Sequence, residues 1–137
     1  MEGNLWVNED HLLICHIMVT PFTVININAS RIGRKEKVLD VMAFMNAYNP
    51  TVVCIQEINI RTVYKYCQEM YQVIGNKEDS QEDIGIVTLI KKGIYIEQNI
   101  IAKNGRIIGT KIKGCQIWNI NPPSCTNKKQ KKRSVLL

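Results

Sequence analysis

Two polar side chains follow two successive apolar segments, and their chemical types suit the binding of a metal ion and a phosphate. Asn28 comes after residues 22–27, and Glu57, with Gln56 before it, comes after residues 51–55. A carboxylate beside an amide oxygen offers the hard oxygen ligands that Mg²⁺ prefers, and the amide NH₂ of Asn28 can donate to a phosphate oxygen. Taken alone, a glutamate before a helix has another interpretation, since it interacts favourably with the helix dipole. Together the two residues predict a site in which Glu57 and Asn28 bind the metal.

The segments around these residues predict how they are brought together. Residues 22–27 are β-branched and roughly alternating, which favours a strand, and residues 51–55 are continuously apolar, as in a parallel strand covered on both faces. Between them, apolar residues recur every three or four positions and predict a helix, which Asn49-Pro50 ends. A strand–helix–strand unit of this kind places its strands parallel and close in the sheet, so we expect Asn28 and Glu57 at the same carboxyl edge.

Four segments in a fixed order resemble one family. They are NIN after an apolar strand, NPTVVCIQE after a basic helix start, IGIVTLI at residues 84–90, and WNINPP at residues 118–123. The pattern is similar to the endonuclease/exonuclease/phosphatase superfamily, and within it to the endonuclease domain of non-LTR (LINE-type) retrotransposons. The third segment resembles the family's Gly-Val-Ala-Ile-Leu strand, and the fourth lies where members carry Asn-Ile-Tyr-Ala-Pro.

The resemblance implies a fold, a cofactor and roles for single residues. The family comprises Mg²⁺-dependent phosphodiesterases that nick DNA to expose a 3′-hydroxyl for reverse transcription; Asn28 matches the active-site asparagine and Glu57 the metal-binding glutamate. The implied fold is α/β (α+β), half of a four-layer α/β/β/α sandwich with a mixed β-sheet and two helices. The expected organisation is an N-terminal extension (1–21), a truncated domain (22–123) and a basic tail (124–137).

The sequence also departs from the family pattern. Asn121 stands where members carry an active-site tyrosine, and the later Gly-Asp-Phe-Asn and Ser-Asp-His segments do not occur within the 137 residues. The two histidines, His11 and His16, lie near the other end of the sequence. We therefore expect a truncated relative that lacks a general base and is inactive as it stands, which leaves enzymatic activity undecided.

The positive charge is concentrated in the tail. Of a net charge of +6, five charges come from the tail residues Lys128, Lys129, Lys131, Lys132 and Arg133, which leaves +1 for the rest of the chain. The body of the protein should therefore bind DNA only weakly and in a salt-sensitive way. The tail is either a nuclear address, a nucleic-acid-binding arm or a solvated end. A smaller basic group after Asn28 either contacts a DNA backbone or is a solvated helix start; it contains Arg31, Arg34 and Lys35.

Cysteine content and hydropathy indicate the cellular setting. The five cysteines are odd in number and lack paired metal spacing, which favours reduced thiols in an intracellular protein, nuclear or cytoplasmic. Residues 11–19 are apolar, but they follow acidic residues and fall short of the ~20 that a membrane span requires. We expect no membrane association and interpret this stretch as an added strand or as translated non-coding sequence.

The remainder predicts a helix at residues 62–70 capped by Thr62, a strand at 71–74 and a solvated polar loop at 77–83. Antiparallel strands then follow at residues 84–90, 94–102, 106–113 and 115–120.

The apolar strand at residues 84–90 leads to an expectation about assembly. We expect the chain to form one sheet, whose second apolar face would lack its partner sheet and drive self-association. Three functions compete: a Mg²⁺-dependent DNA endonuclease, a non-catalytic fragment that binds nucleic acid or protein through its tail and exposed sheet face, and a degraded reading frame without a selected role.

Overall fold

The computed structural model describes residues 2–9, 12–19, 22–32, 35–78, 83–102 and 104–123. The described elements are, in chain order, β1 (Glu2–Glu9), β2 (Leu12–Val19), β3 (Phe22–Ile32), α1 (Lys35–Tyr48), β4 (Val52–Asn59), α2 (Ile60–Cys67), β5 (Tyr71–Lys77), β6 (Ile84–Lys91), β7 (Gln98–Ile101), β8 (Ile107–Ile112) and β9 (Cys115–Ile120). They form a mixed α+β fold with two helices and two sheets, which confirms the predicted fold class. Among these residues no helix is both long and apolar enough to cross a membrane.

The first sheet has the strand order β1-β2-β3-β4-β6-β5. β3 and β4 are parallel, and the other neighbouring pairs are antiparallel. The predicted strand–helix–strand unit is therefore present, with α1 as its crossover. Residues 2–19, expected as an extension with an added strand, contribute two strands that continue this sheet beyond β3.

α1 packs through the predicted apolar stripe and ends at the predicted place. Val38, Val41 and Met45 are buried in the core that lies between the helices and the first sheet. Asn49 takes a left-handed conformation with φ of 46° and donates its N–H to the Met45 carbonyl at 2.7 Å. This is the C-terminal cap that an asparagine before a proline favours.

The start of α2 differs from the prediction. Asn59, not Thr62, is the N-cap: its Oδ1 accepts a hydrogen bond from the Thr62 backbone N–H at 2.9 Å. The helix begins at Ile60 because an asparagine side chain at this position already satisfies a free N–H of the first turn. The helix also ends earlier than predicted, at Cys67, and Met70 is exposed.

A second sheet of order β7-β8-β9 covers the face of the first sheet opposite the helices. Ile112 and Ile117 from this sheet pack with Val24, Val52 and Ile90 in a second core. The expectation of one sheet with an uncovered apolar face is therefore wrong. The hairpins after β6 fold back over β6 instead of extending its sheet, so Ile86, Thr88 and Ile90 are at most 1% exposed.

Candidate metal and phosphate site

The parallel pairing of β3 and β4 brings the backbones of the two predicted ligands close together. Asn28 is paired with Gln56 in the register, and Glu57 lies in the irregular stretch between this pair and the pair of Ile32 with Ile58. The expected position of Asn28 after the end of its strand is wrong, because β3 continues to Ile32 and pairs with both β2 and β4 at Asn28. The roles of Asn28 and Glu57 as ligands remain predictions.

Glu57 lies in a β-bulge with an unusual backbone conformation. Its φ is 56°, and the pairing of β4 with β6 shifts between Ile55 and Ile58. Both isoleucines are buried in the core under the helices, so the bulge inserts an extra residue while it keeps both apolar side chains inside. A left-handed glutamate costs about 1–3 kcal/mol. Bulges are frequent next to active sites, where they redirect a side chain.

Gln56 is fixed by a buried network of amides. Its Nε2 donates to Asn26 Oδ1 at 2.8 Å and to Asn119 Oδ1 at 2.9 Å, and its Oε1 accepts from Asn26 Nδ2 at 3.4 Å. Asn119 in turn donates its Nδ2 to the Val87 carbonyl at 2.9 Å and to Thr88 Oγ1 at 3.1 Å. Because the amides of Gln56 and Asn119 are almost fully buried, their hydrogen bonds hold the backbone beside Glu57 in one position.

The sequence gives only a weak signal for the network of Asn26, Gln56 and Asn119. Each is a polar residue inside an otherwise apolar strand, and a buried polar side chain requires a partner. This pattern indicates that each side chain has a hydrogen-bond partner, but it does not identify the partner.

A buried carboxylate, Glu78, lies near the carboxyl end of β4. The Glu78 backbone N–H donates to the Ile84 carbonyl at 2.9 Å, and Ile84 is paired with Asn59 of β4. Its Oε1 accepts from Asn121 Nδ2 at 3.4 Å and lies 3.8 Å from an Arg106 guanidinium nitrogen.

Glu78 differs from what the sequence predicts, and Asn121 is its hydrogen-bond partner. The expectation of a solvated loop is wrong for Glu78, which is 2% exposed, because the positive charge of Arg106 compensates its burial. Asn121, at the family's tyrosine position, donates its amide to this carboxylate.

The residues at this position offer few of the side chains that usually hold a metal ion. Within the described ranges, no group of three His, Cys, Asp or Glu side chains is placed to hold a metal ion. Mg²⁺ commonly binds through one or two carboxylates and keeps several waters and substrate phosphates as its other ligands. A single carboxylate at Glu57 with the amide of Asn28 fits that pattern. The Gln56 amide is already engaged with Asn26 and Asn119, so Gln56 acts by positioning.

The predicted basic contacts fall on parts of the chain for which no side-chain position is described. Arg31 lies in β3 and Lys35 begins α1, whereas Arg34 is outside the described residues. The tail residues Lys128, Lys129, Lys131, Lys132 and Arg133 also lie outside them. Their role in binding nucleic acid stays a prediction.

Comparison with solved structures identifies the architecture. Five chains match, among them the crystal structure of humanized D. rerio TDP2 carrying 14 mutations, with a TM-score of 0.56 and 15% sequence identity over 80% of this chain and 50% of that chain. TDP2 is a phosphodiesterase of the endonuclease/exonuclease/phosphatase superfamily. The described chain therefore shares its fold with part of the TDP2 structure.

This likeness is one of fold alone, because the chain spans about half the length of the TDP2 structure at low identity. No protein-family model and no curated protein matches the sequence. The retrotransposon type therefore rests on the four sequence segments.

Proposed function

We propose that this chain forms the metal- and phosphate-binding edge of a Mg²⁺-dependent DNA phosphodiesterase, related to the endonucleases of non-LTR retrotransposons. The observation that supports the proposal is the left-handed bulge at Glu57, next to the paired residues Asn28 and Gln56. The fold likeness to a DNA-processing phosphodiesterase supports it, as do the four segments named above.

Each residue at this edge has a proposed role. Glu57 holds the metal through its carboxylate, and Asn28 donates its amide N–H to an oxygen of the phosphodiester. Gln56 fixes the bulge, and Asn26 and Asn119 fix Gln56 in turn. When bound, Mg²⁺ stabilises negative charge on the phosphate and lowers the pKa of bound water. The strained backbone at Glu57 keeps the carboxylate at the edge before substrate arrives.

The described residues near the proposed site include few side chains that could transfer a proton in the reaction. Hydrolysis of a phosphodiester benefits from a general base near the attacking water. His16 is the one histidine among the described residues, and its backbone is paired with Ile25, three positions before Asn28 along β3. We therefore propose that this chain binds Mg²⁺ and DNA together and that hydrolysis by the chain alone is slow.

The test compares DNA binding with and without Mg²⁺. Mg²⁺ is expected to strengthen the binding of a labelled DNA oligonucleotide by the full chain, and Glu57→Gln is expected to abolish that increase. Glu69→Gln is the matched control, because Glu69 is exposed in the turn after α2. An Mg²⁺ effect that persists in Glu57→Gln, or no Mg²⁺ effect in the unmodified chain, would overturn the proposal.

A nicking assay decides how far the chemistry proceeds. Supercoiled plasmid is incubated with the same three proteins and Mg²⁺. Nicking that requires both Mg²⁺ and Glu57 would show that this chain is an endonuclease by itself. Absence of nicking, together with Mg²⁺-dependent binding, would show that the chain binds Mg²⁺ and DNA but does not hydrolyse the DNA by itself.

A non-catalytic nucleic-acid-binding role is the second candidate, and the charge distribution favours it. Five of the six net positive charges lie in residues 128–133, so binding through the tail would be salt-sensitive and independent of Mg²⁺. Replacing these five residues by glutamine would then abolish binding, whereas Glu57→Gln would leave it unchanged. The exposed sheet face that would have supported protein binding is covered by the second sheet and is not proposed.

A further inference from the structure

An open cleft with a volume of about 280 Å³ lies at the start of α2, outside the metal and phosphate site. It is lined by Ile60, Arg61, Tyr64, Lys77 and Asp83. Ile60 follows Glu57 by three residues, and three extended residues span at most ~11 Å. The cleft therefore adjoins the edge at which the phosphodiester is proposed to bind.

The floor of the cleft is fixed by two contacts of Ile60. Its backbone N–H donates to the Asp83 carbonyl at 2.7 Å, which ties the residues before β6 to the helix start. Its side chain lies against Gly75, where an added Cβ would come within 2.6 Å of the Ile60 Cγ2 atom. The cleft is thus formed by packed elements.

The walls of the cleft combine an accessible aromatic ring with cations. Tyr64 is 54% exposed, and Lys77 is exposed. Arg61 lies 3.6 Å from the Asp83 carboxylate, but the Arg61 side chain is 83% exposed. Such an exposed ion pair contributes little, because solvent screens it, so the guanidinium can exchange the carboxylate for a phosphate.

An aromatic ring flanked by positive charges is the combination that binds single-stranded nucleic acids, in which bases stack on rings and phosphates contact cations. A small-molecule site would instead enclose most of its ligand's surface. The open shape of this cleft and its pair of cations thus favour a strand that passes across the surface.

We infer that this cleft binds single-stranded nucleic acid next to the phosphodiester, with one base stacked on Tyr64 and backbone phosphates at Arg61 and Lys77. The inference rests on the proposed function for the position of that phosphodiester. An unpaired base is required because a base inside a duplex does not expose its face to a protein ring.

The experiment measures binding of the full chain to a labelled oligothymidylate by fluorescence anisotropy, at low salt and with EDTA. Tyr64→Ala is expected to weaken binding about tenfold, the usual effect of removing one stacked base, and Tyr64→Phe is expected to retain it. Tyr95→Ala is the matched control, because Tyr95 is 77% exposed and lies between β6 and β7, outside the cleft. The tail charges are present in every variant. The ratio of each variant's dissociation constant to that of the unmodified chain therefore reports the contribution of the Tyr64 ring.

Two further measurements test base stacking and phosphate contact separately. An abasic oligonucleotide of equal length keeps its phosphates and is expected to bind as Tyr64→Ala binds the normal strand. Lys77→Gln is expected to reduce the slope of log affinity against log salt by about 0.7, the value for one phosphate contact on a single strand. RNA and DNA oligonucleotides in parallel show which sugar the cleft prefers, and a duplex is expected to bind more weakly than either.

Unchanged binding in Tyr64→Ala, equal losses in Tyr64→Ala and Tyr95→Ala, or equal affinity for the abasic strand would overturn the inference. Circular dichroism melting of each variant shows whether a loss of binding arises from unfolding, and the abasic strand, which requires no substitution in the protein, keeps the test decisive if the alanine variant unfolds. Because the measurement is made in EDTA, the expected effects at Tyr64 and Lys77 do not depend on Mg²⁺. Failure of this inference is therefore distinct from failure of the proposed metal site.

Discussion

Gln56 and Asn119 join the two sheets through one buried hydrogen bond, which runs from Gln56 Nε2 to Asn119 Oδ1 at 2.9 Å. The residues are 63 positions apart, and they are 0% and 1% exposed. Buried amides require partners, so sliding of the second sheet over the first would take from Asn119 its partners in the first sheet and leave Gln56 with Asn26 alone. The residue that precedes Glu57 is thus fixed from both sheets.

The first prediction is that Gln56→Leu destabilises the fold by about 2–4 kcal/mol. Leucine is similar in size, but it removes the donor to both Asn26 and Asn119, and each buried group left unsatisfied costs about 1–3 kcal/mol. Urea unfolding measures the free energy. Gln68→Leu is the control, because Gln68 is exposed and its replacement should change stability by at most about 0.5 kcal/mol.

A double-mutant cycle measures the contribution of the hydrogen bond between Gln56 and Asn119. If Gln56 and Asn119 satisfy each other, the combined Gln56→Leu and Asn119→Leu variant should lose less stability than the sum of the single losses, by about 0.5–3 kcal/mol. Strict additivity would show that the hydrogen bond between them contributes nothing to stability.

The second prediction concerns backbone strain at the bulge. Glu57→Gly and Glu57→Ala both remove the carboxylate, but only glycine is free of the steric penalty at a φ of 56°. The glycine variant should therefore be more stable than the alanine variant by about 1 kcal/mol, measured by urea unfolding. Equal stabilities would show that Glu57 is not left-handed in solution.

The local signals of the sequence predicted the elements that carry the candidate site. The change from alternating to helical spacing predicted a strand and then a helix, although β3 continues to Ile32, beyond the predicted end at residue 27. Asn49-Pro50 marked the end of the helix, where Asn49 is left-handed. These features depend on neighbours within a few residues, so the sequence alone predicts them. The juxtaposition of Asn28 with the end of β4 then follows from the handedness of the crossover.

The second sheet was not predicted, because strand patterns do not specify pairing partners. β6 pairs with β4 and β5, whereas β7, β8 and β9 pair with each other. In the sequence these strands form one antiparallel series. The left-handed conformation of Glu57 also had no sequence signal, since glycine or asparagine usually occupies such a position.

The third prediction distinguishes the observed cap of α2 from the predicted one. Asn59 Oδ1 accepts from both the backbone N–H and the Oγ1 hydroxyl of Thr62, at 2.9 and 3.0 Å. Asn59→Ala should therefore cost about 1 kcal/mol, the usual loss of an N-cap, and Thr62→Ala should cost less because the capping bond remains. Thermal unfolding of both variants measures the difference. If Thr62→Ala lost more stability than Asn59→Ala, Thr62 would be the N-cap, as the sequence predicted.

The fourth prediction concerns alkaline pH. Burial raises the pKa of the Cys54 thiol to about 12 from an ordinary value of 9.0, although a hydrogen bond with Thr88 partly opposes the rise. Between pH 9 and 11 the unfolded thiol ionises while the folded thiol stays protonated, so the unfolded state binds fewer protons. The free energy of unfolding should then fall as pH rises, by up to about 1.4 kcal/mol per pH unit for this thiol. Below pH 9 the effect should vanish.

Cys54→Ala tests the assignment of this alkaline loss. The variant should show a shallower decline of unfolding free energy between pH 9 and 10.5 than the unmodified chain, when urea unfolding is measured at each pH. Part of the decline should remain, because burial also raises the pKa of Cys67, to about 11. Cys115→Ala is the control, since Cys115 is only half-buried. If Cys54→Ala and the unmodified chain declined with the same slope, ionisation of Cys54 would not be the cause.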